Sequence, residues 1–163
     1  MAATSTNKQP LLVDHVLHVV ANLDNAINNA LDIIGTNDAK LLVDSTSADG
    51  AIIEDVYLIS RGGTGYPVNI YISTARDYLR PNEAMFVGSI TSAEGEKKVV
   101  RWEDMPRTLV PVPQTGNITG LADGQPLVNR AFYLPKGYAL WAARQSDTPV
   151  SDGPLIGVQG GWY

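Results

Sequence analysis

The 163 residues carry a net charge of −5, with 12 Lys and Arg against 17 Asp and Glu. That balance argues against a nucleic-acid partner, because phosphate contacts need clustered cations. With no Cys there is no disulfide framework and no thiolate chemistry. The length favours one domain with a real core, and the low charged fraction of 18% leaves neutral surface for burial between subunits.

The first ten residues, MAATSTNKQP, form a polar arm without an apolar leader-like stretch, and no run of about 18 apolar residues suggests a membrane span. The following LLVDHVLHVVANL is rich in β-branched residues and reads mainly as extended chain, with a helical face through Leu12, His15, Val16 and Val19 as the rival. Over 24–34, Ala26, Ile27, Ala30, Leu31 and Ile34 follow helical spacing with Gly35 as a C-cap. Three Asn residues oppose it, and both readings stay open.

From Lys40 the pattern turns to strands. LLVDS is followed by an Asp49-Gly50 turn, then by 51–60 with Val56 and Leu58 on one side and Tyr57 and Ile59 on the other. Arg61 to Pro67 is a loop. In VNIYISTA, Val68, Ile70 and Ile72 alternate inward with Asn69, Tyr71 and Ser73 outward, the pattern of a half-buried strand. ARDYLRPNE is a connection, AMFVGSIT a strand, SAEGEK a turn and KVVRW a strand. Pro111 and Pro113 exclude a central strand around Val112. The stretch 130–144, RAFYLPKGYALWAAR, reads as a β-hairpin turning at Pro135-Lys136-Gly137, with Trp141 facing away from Leu140 and Ala142, so that both faces of its sheet are covered. LIGVQGGWY is a last strand whose Trp162 and Tyr163 need something to pack on. About nine short strands spaced by turns predict an all-β fold, a β-sandwich or jelly roll over 40–163, with 1–39 as an N-terminal segment packing on a neighbour.

No residue pattern specifies a reaction. His15 and His18 are the only histidines; on a strand they face opposite ways and do not chelate together. The Arg61–Gly65 loop lacks a phosphate-loop pattern and leads into a strand. Glu54-Asp55, Glu83, Glu94, Glu96 and Glu103-Asp104 imply no carboxylate pair, no G-x-S-x-G elbow occurs, and Asp123, Asp147 and Asp152 lack EF-hand spacing. Asn117-Ile118-Thr119 is a chance sequon. Tyr66, Tyr71 and Tyr138 suit an interface or the core better than a sugar platform. The expectation is therefore a non-enzymatic protein with no cofactor and no metal.

TSTNKQPLLVDHVLH, VYLISRGGTGYPVNIYIS, PKGYALWAA and the GGWY tail together resemble small virion structural proteins of tailed phages, especially marine and cyanobacterial ones. The resemblance is closest to capsid decoration (cement) proteins, which are β-rich, acidic and often trimeric. It implies a module that stabilises the head by binding across neighbouring subunits of the major capsid protein, or other virion proteins, after assembly in the host cytoplasm. Neck or tail adaptors and fibre-associated carbohydrate- or receptor-binding modules are the alternatives. A homotrimer would use Leu11, Leu12, Val13 and Val16 of the arm with Tyr138, Trp141, Trp162 and Tyr163 as interface anchors.

Overall fold

The computed structural model describes residues 14–27, 39–77, 79, 83–101, 132–146 and 150–163. These form nine strands in two antiparallel sheets packed face to face: β1 (His15–Asn22), β2 (Lys40–Asp44), β3 (Gly50–Ile59), β4 (Pro67–Ser73), β5 (Ala84–Thr91), β6 (Val99–Arg101), β7 (Phe132–Pro135), β8 (Ala139–Arg144) and β9 (Leu155–Trp162). The first sheet runs β1-β9-β3, and its far edge is shared: β7 pairs the first half of β3 and β6 the second. The second sheet runs β2-β8-β4-β5. The all-β sandwich expected from the alternation is thus what the chain forms.

The core lies between the sheets. Leu17, Ile53, Val56, Leu58, Ile156 and Val158 come from one side, and Val43, Val68, Ile70, Val87, Ile90 and Leu140 from the other, all buried. On β4 and β9 these are alternate residues, as a pleated chain with one face inward requires, and register shifts widen the step to three between Ile53 and Val56 and between Val87 and Ile90. The stretch from His15 on belongs to this sandwich, since β1 pairs with β9 along its whole length and Leu17, Leu23 and Ala26 enter the core. Of the segment 24–34, residues 24–27 are described and are not helical; Ile27 makes an isolated parallel bridge to Arg144. Leu11, Leu12 and Val13, the remainder of that segment and the Pro111–Pro113 stretch lie outside the described residues.

Two expectations are corrected. β4 is not half-buried: Asn69 (3% exposed), Tyr71 (1%) and Ser73 (0%) are as covered as Val68 and Ile70. A second apolar cluster closes that outer face. Tyr71, Ala139, Trp141 and Ala143 pack there beneath Leu79 from the β4–β5 connection, to which the sequence assigned no packing role. The same burial takes Trp141 out of the candidate interface anchors, because its ring is inside its own chain.

The 130–144 hairpin is the second. Its turn is as expected: Tyr138 N donates to Pro135 O at 3.1 Å, and Gly137 has φ +86°. But the arms do not pair. β7 joins β3 in the first sheet and β8 joins β2 and β4 in the second, so the unit is an arch that crosses the sandwich. Phe132 and Leu134 face the core from one side, Leu140 and Ala142 from the other. The chain makes a second crossing between β2 and β3 at the same corner. Ser45 fastens the two, with its hydroxyl 2.6 Å from Pro135 O and 2.7 Å from Tyr138 O, and its N–H donating to Tyr138 O at 3.0 Å.

Candidate interaction surface

The two sheets differ in what covers their outer faces. The centre of the second sheet is closed by Leu79 and its cluster. Among the described residues no comparable cluster covers the first sheet, while at the edge of the second Met85 and Phe86 of β5 stay exposed. The outward positions of the first sheet are alternate residues of β1, β9, β3, β6 and β7, and they include Val16 (82% exposed), Val20 (53%), Val99 (52%) and Tyr133 (46%). Exposed apolar residues gathered on one face mark an interaction site more often than solvent-facing surface.

A band of polar and aromatic groups crosses this face. The register sets Tyr57 of β3 beside Gly157 of β9, with Val20 of β1 beyond it and Arg101 of β6 on the other side. Gly157 provides the floor. A Cβ there would lie 2.0 Å from Cζ of Tyr57, so only glycine lets the ring lie flat over β9. Lying flat, Tyr57 reaches β1, where its hydroxyl is 2.8 Å from His18 Nε2. The guanidinium of Arg101 sits 5.8 Å from the Tyr57 ring centroid and forms an ion pair with Asp55, the next outward residue of β3. Cation–π and charge-assisted contacts of this type hold a flexible Arg in one orientation. Below the band, Tyr133 meets Tyr163 edge to face at 5.6 Å. The result is a nearly flat surface bearing an aromatic ring and oriented donors, chemistry suited to stacking and hydrogen bonding with a partner.

A separate charged cluster ties loops at one end of the sandwich. Arg144 is fully buried with its guanidinium 4.8 Å over the Tyr66 ring, and donates to Leu23 O at 3.5 Å and Asp24 O at 3.2 Å. Burial pulls its pKa down, offset in part by Tyr66, Asp24 and Asp152. Arg61 Nη1 donates to both carboxylate oxygens of Asp24 at 3.0 Å, and Asn22 Nδ2 donates to the same carboxylate at 2.8 Å. Burial pushes the Asp24 carboxyl up, but the bond from Asn22 and the pairing with Arg61 outweigh it and hold the group below its ordinary value. Tyr66 donates its hydroxyl proton to Asp152 at 3.2 Å. These contacts fasten the Arg61–Tyr66 loop to the chain just after β1 and just before β9, which accounts for the glycine-rich stretch as a strand connection.

The remaining sequence candidates are scattered. His15 and His18 both lie on β1, facing opposite ways, and only His18 joins the band. Val16 stands on the open face. Tyr138 is 40% exposed at the arch. Trp162 packs on the main core, and Tyr163 meets Tyr133. Tyr71 is buried, and burial raises its phenol pKa. Asp123, Asp147 and the sequon at Asn117 lie outside the described residues. Among the described residues no three His, Asp or Glu side chains gather as metal ligands, and no helix is long and apolar enough to cross a membrane. Asp55 was weighed only as half of an acid pair with Glu54, and Tyr57, Arg101 and Gly157 were not singled out as site residues; the available signal was glycine inside the strand LIGVQGGW. No family model, no curated protein and no solved structure matches this chain.

Proposed function

We propose that this protein is a structural component of a tailed-phage virion, a decoration module that stabilises the head by binding across neighbouring capsid subunits. The observation that carries the reading is the asymmetry of the sandwich. Among the described residues, Leu79 and its cluster cover the middle of one outer face, and the other stays flat, partly apolar and floored with glycine. The resemblance to small virion proteins points to the same kind of role, adhesion to a larger scaffold and to copies of itself. Each contact would be modest, and repetition over a symmetric shell would supply the avidity.

The test has two parts. Quantitative mass spectrometry of purified virions should find on the order of hundreds of copies per particle, as a shell lattice requires, where about six or twelve would place the chain in a neck or tail ring. Purified protein should bind particles that lack it, and Val99→Glu with Tyr133→Ala should weaken that binding at least tenfold. Absence from virions, or unchanged binding by the double variant, defeats the proposal.

One observation favours a second reading, a fibre-associated carbohydrate- or receptor-binding module. The Tyr57 ring, flanked by Arg101 and His18, has the form of a stacking platform with polar neighbours. A glycan array separates the readings, since a decoration module shows no glycan preference that Tyr57→Ala abolishes.

A further inference from the structure

Natural sheets protect their edges, because an unpaired row of N–H and C=O groups recruits any strand that reaches it. Four edges of this sandwich are protected. β2 has five residues, with Lys40 and Asp44 at its ends and a break in register between Leu41 and Val43. β6 has three residues and ends in Arg101; β7 has four and ends in Pro135. β5 carries a register shift opposite Ile70 and Tyr71.

β1 has none of these devices. Its eight residues, HVLHVVAN, contain no Lys, Arg, Asp, Glu, Pro or Gly, and it pairs with β9 over eight consecutive positions without a shift. Its other side meets no strand among the described residues. The bond from Leu23 N to Pro154 O fixes the phase of the ladder: odd-numbered residues of β1 bond toward β9. The N–H and C=O groups of Val16, His18, Val20 and Asn22 therefore point outward along the free edge.

We propose that this edge pairs with the same edge of a second copy, antiparallel about a two-fold axis, so that two five-stranded sheets continue as one. Two features select a second copy as the occupant. The chain is acidic overall, so copies repel over most of their surface, whereas His15–Asn22 carries no formal negative charge. The strand is also self-complementary. A two-fold axis at His18 sets Val16 opposite Val20 and Leu17 opposite Val19, apolar on apolar, with His15 opposite Ala21, His18 opposite its own copy and Asp14 opposite Asn22, so that no two carboxylates face each other. The open outer faces then become continuous, and Val16 loses the exposure it has in the single chain. The pairing stands apart from the virion reading and differs from the three-fold assembly that the family resemblance implies.

The test uses the full chain in sedimentation equilibrium or light scattering, from about 1 μM to about 1 mM. The wild type should be a dimer. Val20→Pro removes an N–H that β9 does not use, so the internal ladder survives while the added strand loses a donor and meets the ring. It should be monomeric, with dissociation at least tenfold more favourable and an unchanged far-UV circular dichroism spectrum. If Val20→Pro unfolds, Val16→Lys combined with Val20→Lys keeps every backbone donor, installs the charge that other edges carry, and should give the same monomer. A wild type that is monomeric throughout, a trimeric mass, or a dimer that persists in the folded variant overturns the proposal.

Discussion

Gly157→Ala places a methyl group where the Tyr57 ring now lies, 2.0 Å from Cζ and 2.4 to 2.5 Å from the Cε atoms. Backbone on a central strand cannot yield, so the ring must lift. The hydrogen bond to His18, worth about 1 kcal/mol, is lost. So is the contact with Arg101, at about 0.5 to 1 kcal/mol. Uncovering part of one ring face costs about 1 kcal/mol more. Replacing glycine returns about 0.5 to 1 kcal/mol by restricting the unfolded chain. The net loss is about 2 kcal/mol, or roughly 4 to 8 °C in Tm for a chain of this size. Urea unfolding of a double-mutant cycle with Tyr57→Ala isolates the cause. Once the ring is gone, Gly157→Ala should be neutral or stabilising, giving a coupling of about 2 to 3 kcal/mol. An equal loss in both backgrounds would refute the claim that Gly157 exists to seat Tyr57.

Three further outcomes are expected. Asp24 has a folded pKa below its unfolded value, so its contribution is complete above about pH 4 and disappears as pH falls through the folded value. The Tm of Asp24→Asn should therefore fall less steeply than that of the wild type on acidification, and parallel curves would contradict this. Arg144→Met removes the buried donor to Leu23 O and Asp24 O and should destabilise by about 3 kcal/mol in thermal unfolding. Leu79→Ala uncovers Tyr71 and Trp141, with a loss of about 2 to 4 kcal/mol and stronger acrylamide quenching of tryptophan emission.

Where strands lie was legible from period and turn chemistry. Val56 and Leu58 alternate with Tyr57 and Ile59 as their burial requires, and the Gly137 turn was readable to the residue. Which sheet a strand joins was not. An arch and a hairpin have the same alternation and the same loop, and only the long-range partners β3 and β2 distinguish them. Asn69, Tyr71 and Ser73 looked like a wet face because local pattern carries no trace of Leu79 folding back over them. The surface band was hidden for the same reason. His18, Tyr57 and Arg101 sit far apart in sequence, and the pairing of β9 with both β1 and β3 brings them together.

That pairing also governs how the molecule is made. His15 lies opposite Trp162 on one side, and Ala51 lies opposite the same residue on the other. A ribosome must therefore travel through β9 before β1 gains its partner and before β3 is closed on its β9 side, although β6 and β7 reach β3 earlier. Until then β1 waits as an unpaired segment, and β3 has one open side, with closure of long loops still ahead of them. Such a nascent chain is an obvious client for holdase chaperones, and fast synthesis at high temperature should drive it into inclusion bodies while slow, cold expression rescues it.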